Sequence, residues 1–215
     1  MADYRQQFIE FALARNVLRF GEFTLKSGRV SPYFFNAGNF KTGQALAELG
    51  RFYAAAIVDQ KLDYDVLFGP AYKGIPLVVS VAIALATEHY IDKPYCFDRK
   101  EAKAHGEGGK IVGADLKGRV LMIDDVITAG TTFRLVVNMI KEHDAEFTGV
   151  MIALDRQEIG LVGEQSAVQE LSTEFGVKIH SIIKLTDIIQ YLEDHKKMPN
   201  ELAKMRDYQA EYGVA

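Results

Sequence analysis

The chain has very little cysteine: a single residue, Cys96, in 215. That rules out an intrachain disulfide framework and fits a reducing compartment. On a strand it reads as a small hydrophobe rather than a nucleophile. Excess positive charge is missing too. Lys and Arg number 25 against 29 Asp and Glu, a formal net charge of −4, which argues against a general nucleic-acid binder. The longest apolar run, residues 75–86, is too short to span a membrane and is broken by Pro76 and Ser80. The first residues carry no basic segment leading into an apolar one, so no secretory signal is expected. No Gly-x-x-x-x-Gly-Lys-Ser/Thr string occurs, which excludes the ATP-type phosphate loop. Internal repeats, low-complexity tracts and an interdomain linker are also lacking. The expectation is a cytoplasmic protein of one domain with extensions, with no nucleic-acid or membrane partner. A hydrophobic fraction of 48% and a charged fraction of 25% are ordinary for a soluble globule.

The chemistry is concentrated in one stretch, Val120-Leu-Met-Ile-Asp-Asp-Val-Ile-Thr-Ala-Gly-Thr-Thr132. Four apolar residues without alternation read as a strand buried on both faces of a parallel sheet. Asp124 and Asp125 follow where that strand should end. Val126 and Ile127 lead into a small, hydroxyl-rich turn of Thr128, Ala129, Gly130, Thr131 and Thr132. A helix begins there, with Phe133, Val136, Val137 and Ile140 at i, i+3, i+4 and i+7. Free backbone N–H groups at a helix start, with hydroxyls beside them, suit a phosphate. An acidic pair suits vicinal sugar hydroxyls, which donate to carboxylates. Together they describe a pocket for a phosphorylated sugar. A plain strand–turn–helix corner, with Asp favouring the turn, is the competing reading.

Around this stretch the periodicity predicts a helix over 3–16, short β elements at 22–25 and 33–36, and a long helix over 44–60. Strands at 66–68, 95–97, 119–123, 150–154 and 178–183 then alternate with helices at 74–89, 131–143 and 165–175. Residues 99–110 read as a polar loop. Two terminal helices follow, the second opened by Pro199, a favoured helix-start residue. Such alternation implies an α/β fold with a parallel sheet covered on both sides. Ligands in such folds sit beyond the carboxyl ends of the strands, where Asp124, Asp125 and Thr128 fall.

Three further constellations bear on function. Gly69-Pro-Ala-Tyr-Lys-Gly74 also joins a strand's end to a helix, and Lys73 with exposed N–H groups can hold a second anion such as pyrophosphate. Segment 99–110 carries Arg99, Lys100, Lys103 and Lys110 against Glu101 and Glu107. His105 adds a group that titrates near neutrality, and Gly106, Gly108 and Gly109 add freedom. Such a loop can close over a polyanion, although charge runs are more often solvated surface. In the third, Arg156 ends a strand and can clamp a carboxylate bidentately; a salt bridge such as one to Asp155 is the plain alternative.

The 120–132 stretch resembles the 5-phosphoribosyl-1-pyrophosphate (PRPP) signature of the type I phosphoribosyltransferases. Segments 99–110 and 23–38 resemble the catalytic loop and base-binding hood of the orotate-specific branch of that family. The resemblance covers residues 20–190, approximately, without departure at any motif position. It implies a Rossmann-like, parallel-sheet core flanked by helices, with an N-terminal β-containing hood. One domain would span 1–215, with the hood at about 20–40, the PRPP core at about 60–190 and a mobile catalytic loop at 99–110. It also implies a non-proline cis peptide between Ala71 and Tyr72.

The implied reaction joins orotate to PRPP with Mg²⁺, giving orotidine 5′-monophosphate and pyrophosphate in pyrimidine biosynthesis. Residues Val126 to Thr132, with Tyr72 and Lys26, would contact PRPP, and Thr128 to Thr132 would hold its 5′-phosphate. Asp124 and Asp125 would take the ribose hydroxyls. Lys73, Arg99, Lys100 and Lys103 would neutralise pyrophosphate, and Lys103 or His105 would assist its departure. Lys26, Phe34, Phe35, Thr128 and Arg156 would meet orotate. The metal would be held by substrate phosphates and ribose hydroxyls rather than by protein ligands. A homodimer is implied, in which loop 99–110 of one copy completes its partner's site. Competing readings are a transferase for a purine or other base, and a non-catalytic PRPP-sensing regulator; the acidic balance and intact loop argue against the latter.

Overall fold

Strands whose every residue is apolar need cover on both faces, and the chain supplies it. The computed structural model describes residues 3–25, 27–103, 109–127, 130–160, 164–196 and 198–214; at 100–103 and 109 only the backbone course is described. The elements run α1 (Tyr4–Ala14), β1 (Leu18–Thr24), β2 (Val30–Phe35), α2 (Gly43–Asp59), β3 (Val66–Gly69), α3 (Gly74–His89), β4 (Tyr95–Lys103) and β5 (Gly109–Gly113). They continue through β6 (Arg119–Ile123), α4 (Thr131–Glu142), β7 (Glu146–Asp155), α5 (Ala167–Phe175), β8 (Lys178–Lys184), α6 (Leu185–His195) and α7 (Pro199–Tyr212). Six strands form one sheet in the order β5-β4-β3-β6-β7-β8, parallel throughout except for the β4–β5 pair. β1 and β2 form a separate antiparallel pair, the hood.

Successive side chains of a strand point to opposite faces, and two cores result. Leu67, Leu121, Ile123, Met151 and Ala153 face one, with α1, α2, α3, α6 and α7 packed on that side. Val66, Phe68, Val120, Met122, Val150 and Ile152 face the other, under α4 and α5. Helix α2 crosses α3 closely because Gly50 lies at the contact: a Cβ there would meet the Ser80 carbonyl oxygen at 2.5 Å.

The topology positions the site. From β3 the chain turns into α3 on one face and on to β4; from β6 it turns into α4 on the other face and on to β7. The crevice between the carboxyl ends of β3 and β6 is therefore the sheet's switch point, where ligands bind in open α/β folds.

Two expectations need correction. Segment 99–110 is not simply a loop: β4 continues to Lys103 and pairs antiparallel with β5, with Lys103 opposite Gly109. Backbone pairing at a sheet edge needs no apolar side chains, so charge patterning hid it. For the same reason β7 begins at Glu146, opposite Arg119, well before its apolar run.

Gly50→Ala should force α2 off α3 and lower stability by about 1–3 kcal/mol in urea titration. Gly43→Ala, on the same helix with open space around it, should stay within about 0.5 kcal/mol of the parent. Equal midpoints for the two variants would remove the close-crossing argument.

Candidate active site

The main chain of the acidic pair is held by three hydrogen bonds, two with β7 and one from α2. Past the end of β6, Asp124 N–H donates to the Met151 carbonyl (3.1 Å) and Ala153 N–H to the Asp125 carbonyl (2.8 Å), so pairing with β7 continues through the turn. From α2, the fully buried Tyr53 hydroxyl donates to the Asp124 carbonyl at 2.7 Å. The side chains are braced locally. Asp124 Oδ1 accepts from Asp125 N–H, and Asp125 Oδ1 from Val126 N–H, both at 2.8 Å. Asp125 is buried, at 7% exposure, and its Oδ2 takes the ammonium of Lys73 at 2.8 Å across the β3–β6 crevice. Lys73 itself is largely exposed.

Asp124 holds the unfavourable position. Burial, and then the charge of Asp125, push its carboxyl up to about 7, against the pull of the Asp125 N–H and Lys73. Two carboxylates in a half-buried crevice with one ammonium make a place short of positive charge and of donors. A ligand that brings hydroxyl donors and a cation fits it.

The pyrophosphate-loop candidate is a tight turn. Gly74 N–H donates to the Pro70 carbonyl at 2.9 Å, and the Ala71–Tyr72 peptide is cis, as the resemblance implies. Asp98 Oδ1 accepts from the Ala71 N–H at 2.5 Å. Asp98 was not among the expected site residues. Its signal was available: an acid directly after the apolar Tyr95, Cys96 and Phe97, as Asp124 follows its own strand. Tyr72 is 67% exposed beside it.

At the third corner Gly130 opens α4 at φ +71°. A Cβ there would lie 2.9 Å from Leu171, so both conformation and space demand glycine. Thr131 and Thr132 are exposed in the first turn. Among the described residues no side chain caps the first N–H groups of the helix, and these with the positive dipole end suit an anion. Val126 packs toward one core and Ile127 toward the other, so whatever they offer a ligand comes from their backbone.

The base-side residues divide. On β2 the pleat sends Phe34 and Phe35 to opposite faces. Phe35, at 8% exposure with its ring 6.4 Å from Phe8, belongs to the core. Its side chain is taken up by packing. Phe34 is half-buried, stacked on Phe23 at 5.4 Å with the Arg19 guanidinium over both rings. Arg156 pairs not with Asp155 but with Glu158, at 2.7 Å from Nη2 and 3.0 Å from Nε. Neighbours on a strand point apart, and Asp155 instead accepts from the Gln157 N–H.

Lys73, Asp124 and Asp125 are thus brought together, with the start of α4 and the end of β7 on flanking strands. Arg99 is half-buried on β4, next to Asp98. Lys26, His105, Thr128 and Ala129 lie outside the described residues, as do the side chains of Lys100 and Lys103.

The titration of Asp124 sets a pH dependence. Its folded value of about 7 stands above the 3.8 usual for an aspartate. Protonated Asp124 therefore adds stability that is complete below about pH 4 and is lost as pH rises to about 7. Asp124→Asn escapes that loss. It should be more stable than the parent by about 2 kcal/mol at pH 8, with the gap narrowing steadily toward pH 5 in denaturation curves. A gap independent of pH would show that Asp124 carries no raised titration.

The geometry now stands beside known proteins. A family model of the phosphoribosyl transferase domain matches residues 36–178. The chain is 60% identical over 214 residues to an orotate phosphoribosyltransferase of Shewanella oneidensis, covering 100% of this chain and 99% of that one. It is 59% identical over 214 residues to an orotate phosphoribosyltransferase of Photobacterium profundum, with 100% of both chains covered. The crystal structure of orotate phosphoribosyltransferase from Francisella tularensis superposes with a TM-score of 0.89 at 45% identity, over 97% of this chain and 100% of that one. Likeness on that scale takes in the hood, the sheet and the switch-point crevice together: the chain belongs to the orotate phosphoribosyltransferase family.

Proposed function

We propose that this chain transfers the 5-phosphoribosyl group of PRPP to orotate, with Mg²⁺, releasing pyrophosphate and orotidine 5′-monophosphate. The observation that carries this reading is the acidic pair, with Asp124 raised to about 7, set against Lys73 at the switch point. Ribose hydroxyls donate to Asp124 and Asp125. The 5′-phosphate takes the start of α4, with Thr131 and Thr132 beside it and Thr128 and Ala129 as further contacts. As the bond to pyrophosphate breaks, positive charge grows on the ribose ring, and the two carboxylates stabilise it.

Lys73 changes partners in this scheme. Its ammonium rests on Asp125 in the free chain, and its exposure lets it swing to the pyrophosphate oxygens. The move frees Asp125 Oδ2 for the sugar. Arg99, Lys100, Lys103 and His105 cover the leaving group from segment 99–110. Tyr72 and Lys26 complete the PRPP contacts, and Phe34, Thr128 and Arg156 face the base.

We infer a magnesium ion held largely by substrate, beside Asp124 and Asp125. Among the described residues no three His, Cys, Asp or Glu side chains converge. Asp124 and Asp125 would lie beside such an ion, which would supply charge neutralisation at the leaving pyrophosphate.

The described ends of segment 99–110 lie in β4 and β5 at the sheet edge. A segment at an edge can reach a neighbouring molecule, which supports a homodimer with exchanged loops. A cytoplasmic setting accords with the lone, buried Cys96. Among the described residues no helix is long and apolar enough to cross a membrane.

Orotate absorbance should fall on mixing chain, PRPP and Mg²⁺, with stoichiometric pyrophosphate release and no fall without the metal. No fall despite PRPP binding would discard the base assignment and keep the sugar pocket. Lys103→Ala should lower kcat at least about tenfold and leave the KM for PRPP within about threefold. Intact kcat with lost PRPP affinity would make Lys103 a ground-state binder only. Mixing Lys103→Ala and Asp125→Asn chains, each strongly impaired alone, should raise activity to about a quarter of the parent's if the loop is exchanged; no recovery after subunit exchange would place loop and acids in one subunit.

A further inference from the structure

The base end of the site holds a second acidic residue that the proposed reaction does not use. Glu158 follows Arg156 by two positions, past the end of β7, and its side chain is 12% exposed. One oxygen, Oε1, accepts three donors: Arg156 Nη2 at 2.7 Å, Arg156 Nε at 3.0 Å and the Tyr33 hydroxyl at 3.2 Å. The guanidinium carbon lies 4.4 Å from the centre of the Tyr33 ring. Nη2 also reaches Ser31 Oγ at 3.3 Å, and that hydroxyl donates to the Tyr33 carbonyl at 2.8 Å. Ser31 and Tyr33 are both fully buried on β2 of the hood.

The guanidinium is therefore fixed in plane and rotation. The Tyr33 ring lies against it, while Glu158 occupies the edge made by Nε and Nη2. No hydrogen bond of ordinary geometry engages Nη1 among the described residues, and the buried Tyr208 hydroxyl lies beside the guanidinium. A planar fork with one edge engaged and the other nitrogen open can accept a second carboxylate in one orientation only. A free arginine on a strand end would sweep many rotamers, and ordering it would cost binding free energy.

The geometry points to Glu158 as a positioning residue that presents Arg156 Nη1 to the ring carboxylate of the base, and so sets selection for carboxylated pyrimidines. This rests on the reading of Arg156 as a base contact. Glu158 touches no substrate; it acts through Arg156 and, by way of Tyr33, ties the hood to β7.

The test separates positioning from simple support by comparing two nucleotides on the full chain. Orotidine 5′-monophosphate and uridine 5′-monophosphate differ only in the ring carboxylate. By calorimetry, Glu158→Ala should weaken the first about tenfold or more and the second, with PRPP, by less than about twofold. Glu158→Gln keeps an oxygen for Arg156 and Tyr33, so it should lose less than the alanine variant; it also serves if alanine prevents folding. Equal weakening of all three ligands would reduce Glu158 to a structural support and overturn the inference. An unchanged or increased preference for the carboxylated nucleotide would also overturn it. Arg156→Ala keeps the two claims apart. If that variant abolishes the preference while the Glu158 variants do not, only the positioning claim fails; if it leaves the preference intact, the base reading fails with it.

Discussion

Neighbouring strands β3 and β6 send their chains to opposite faces of the sheet, and the chemistry of this protein depends on the gap that opens between them. No side chain creates that gap. It follows from strand order and right-handed crossovers. Each strand then ends in a turn whose polar groups face the same crevice: Lys73 from one, Asp124 and Asp125 from the other. The ion pair across the crevice links two turns that are about 50 residues apart in sequence, close enough to act on one ligand. Both cores serve this arrangement by holding the strands rigid from either side.

The acidic pair shows a conflict between folding and function. Burying Asp124 beside Asp125 leaves its carboxyl reluctant to ionise. The fold retains the arrangement through backbone bonds to β7 and through Tyr53 from α2, all made to main-chain atoms. Stabilising the backbone while leaving the carboxylates poorly compensated keeps the site ready for a ligand that supplies donors and positive charge. Functional sites commonly depart from the stability optimum in this way.

The base end is assembled from three remote pieces. The hood contributes Ser31, Tyr33 and Arg29, the end of β7 contributes Arg156 and Glu158, and α7 closes over them. Arg29 donates to the carbonyls of Ile159 and Gly160 at 2.7 and 2.8 Å while lying over the Tyr212 ring. Backbone pairing joins Ile159 to Tyr212 and Gln157 to Val214. Tyr208 meets Tyr33 edge to face. The segment that follows Arg156 is thereby held from both sides, which fixes the backbone that carries the Arg156–Glu158 pair.

Local pattern alone determined the alternation of strands and helices, the start of β6 at Arg119, the run of α3 from Gly74 to His89 and the place of the acidic pair. These follow from periodicity and from where an apolar run stops, both written in adjacent residues. The PRPP and hood motifs were likewise legible as strings. Tertiary structure alone decided what depends on pairing and on partners distant in sequence. It carried β4 through a charged segment, because edge strands are held by backbone bonds rather than by apolar side chains. It turned Phe35 into the core and left Phe34 outside, because the pleat acts only once a face has been chosen. It gave Arg156 to Glu158 rather than to Asp155, placed Asp98 under the Ala71 turn, and set Lys73 on Asp125. A sequence states which charges exist; which of them meet is decided by the packing of two cores around one sheet.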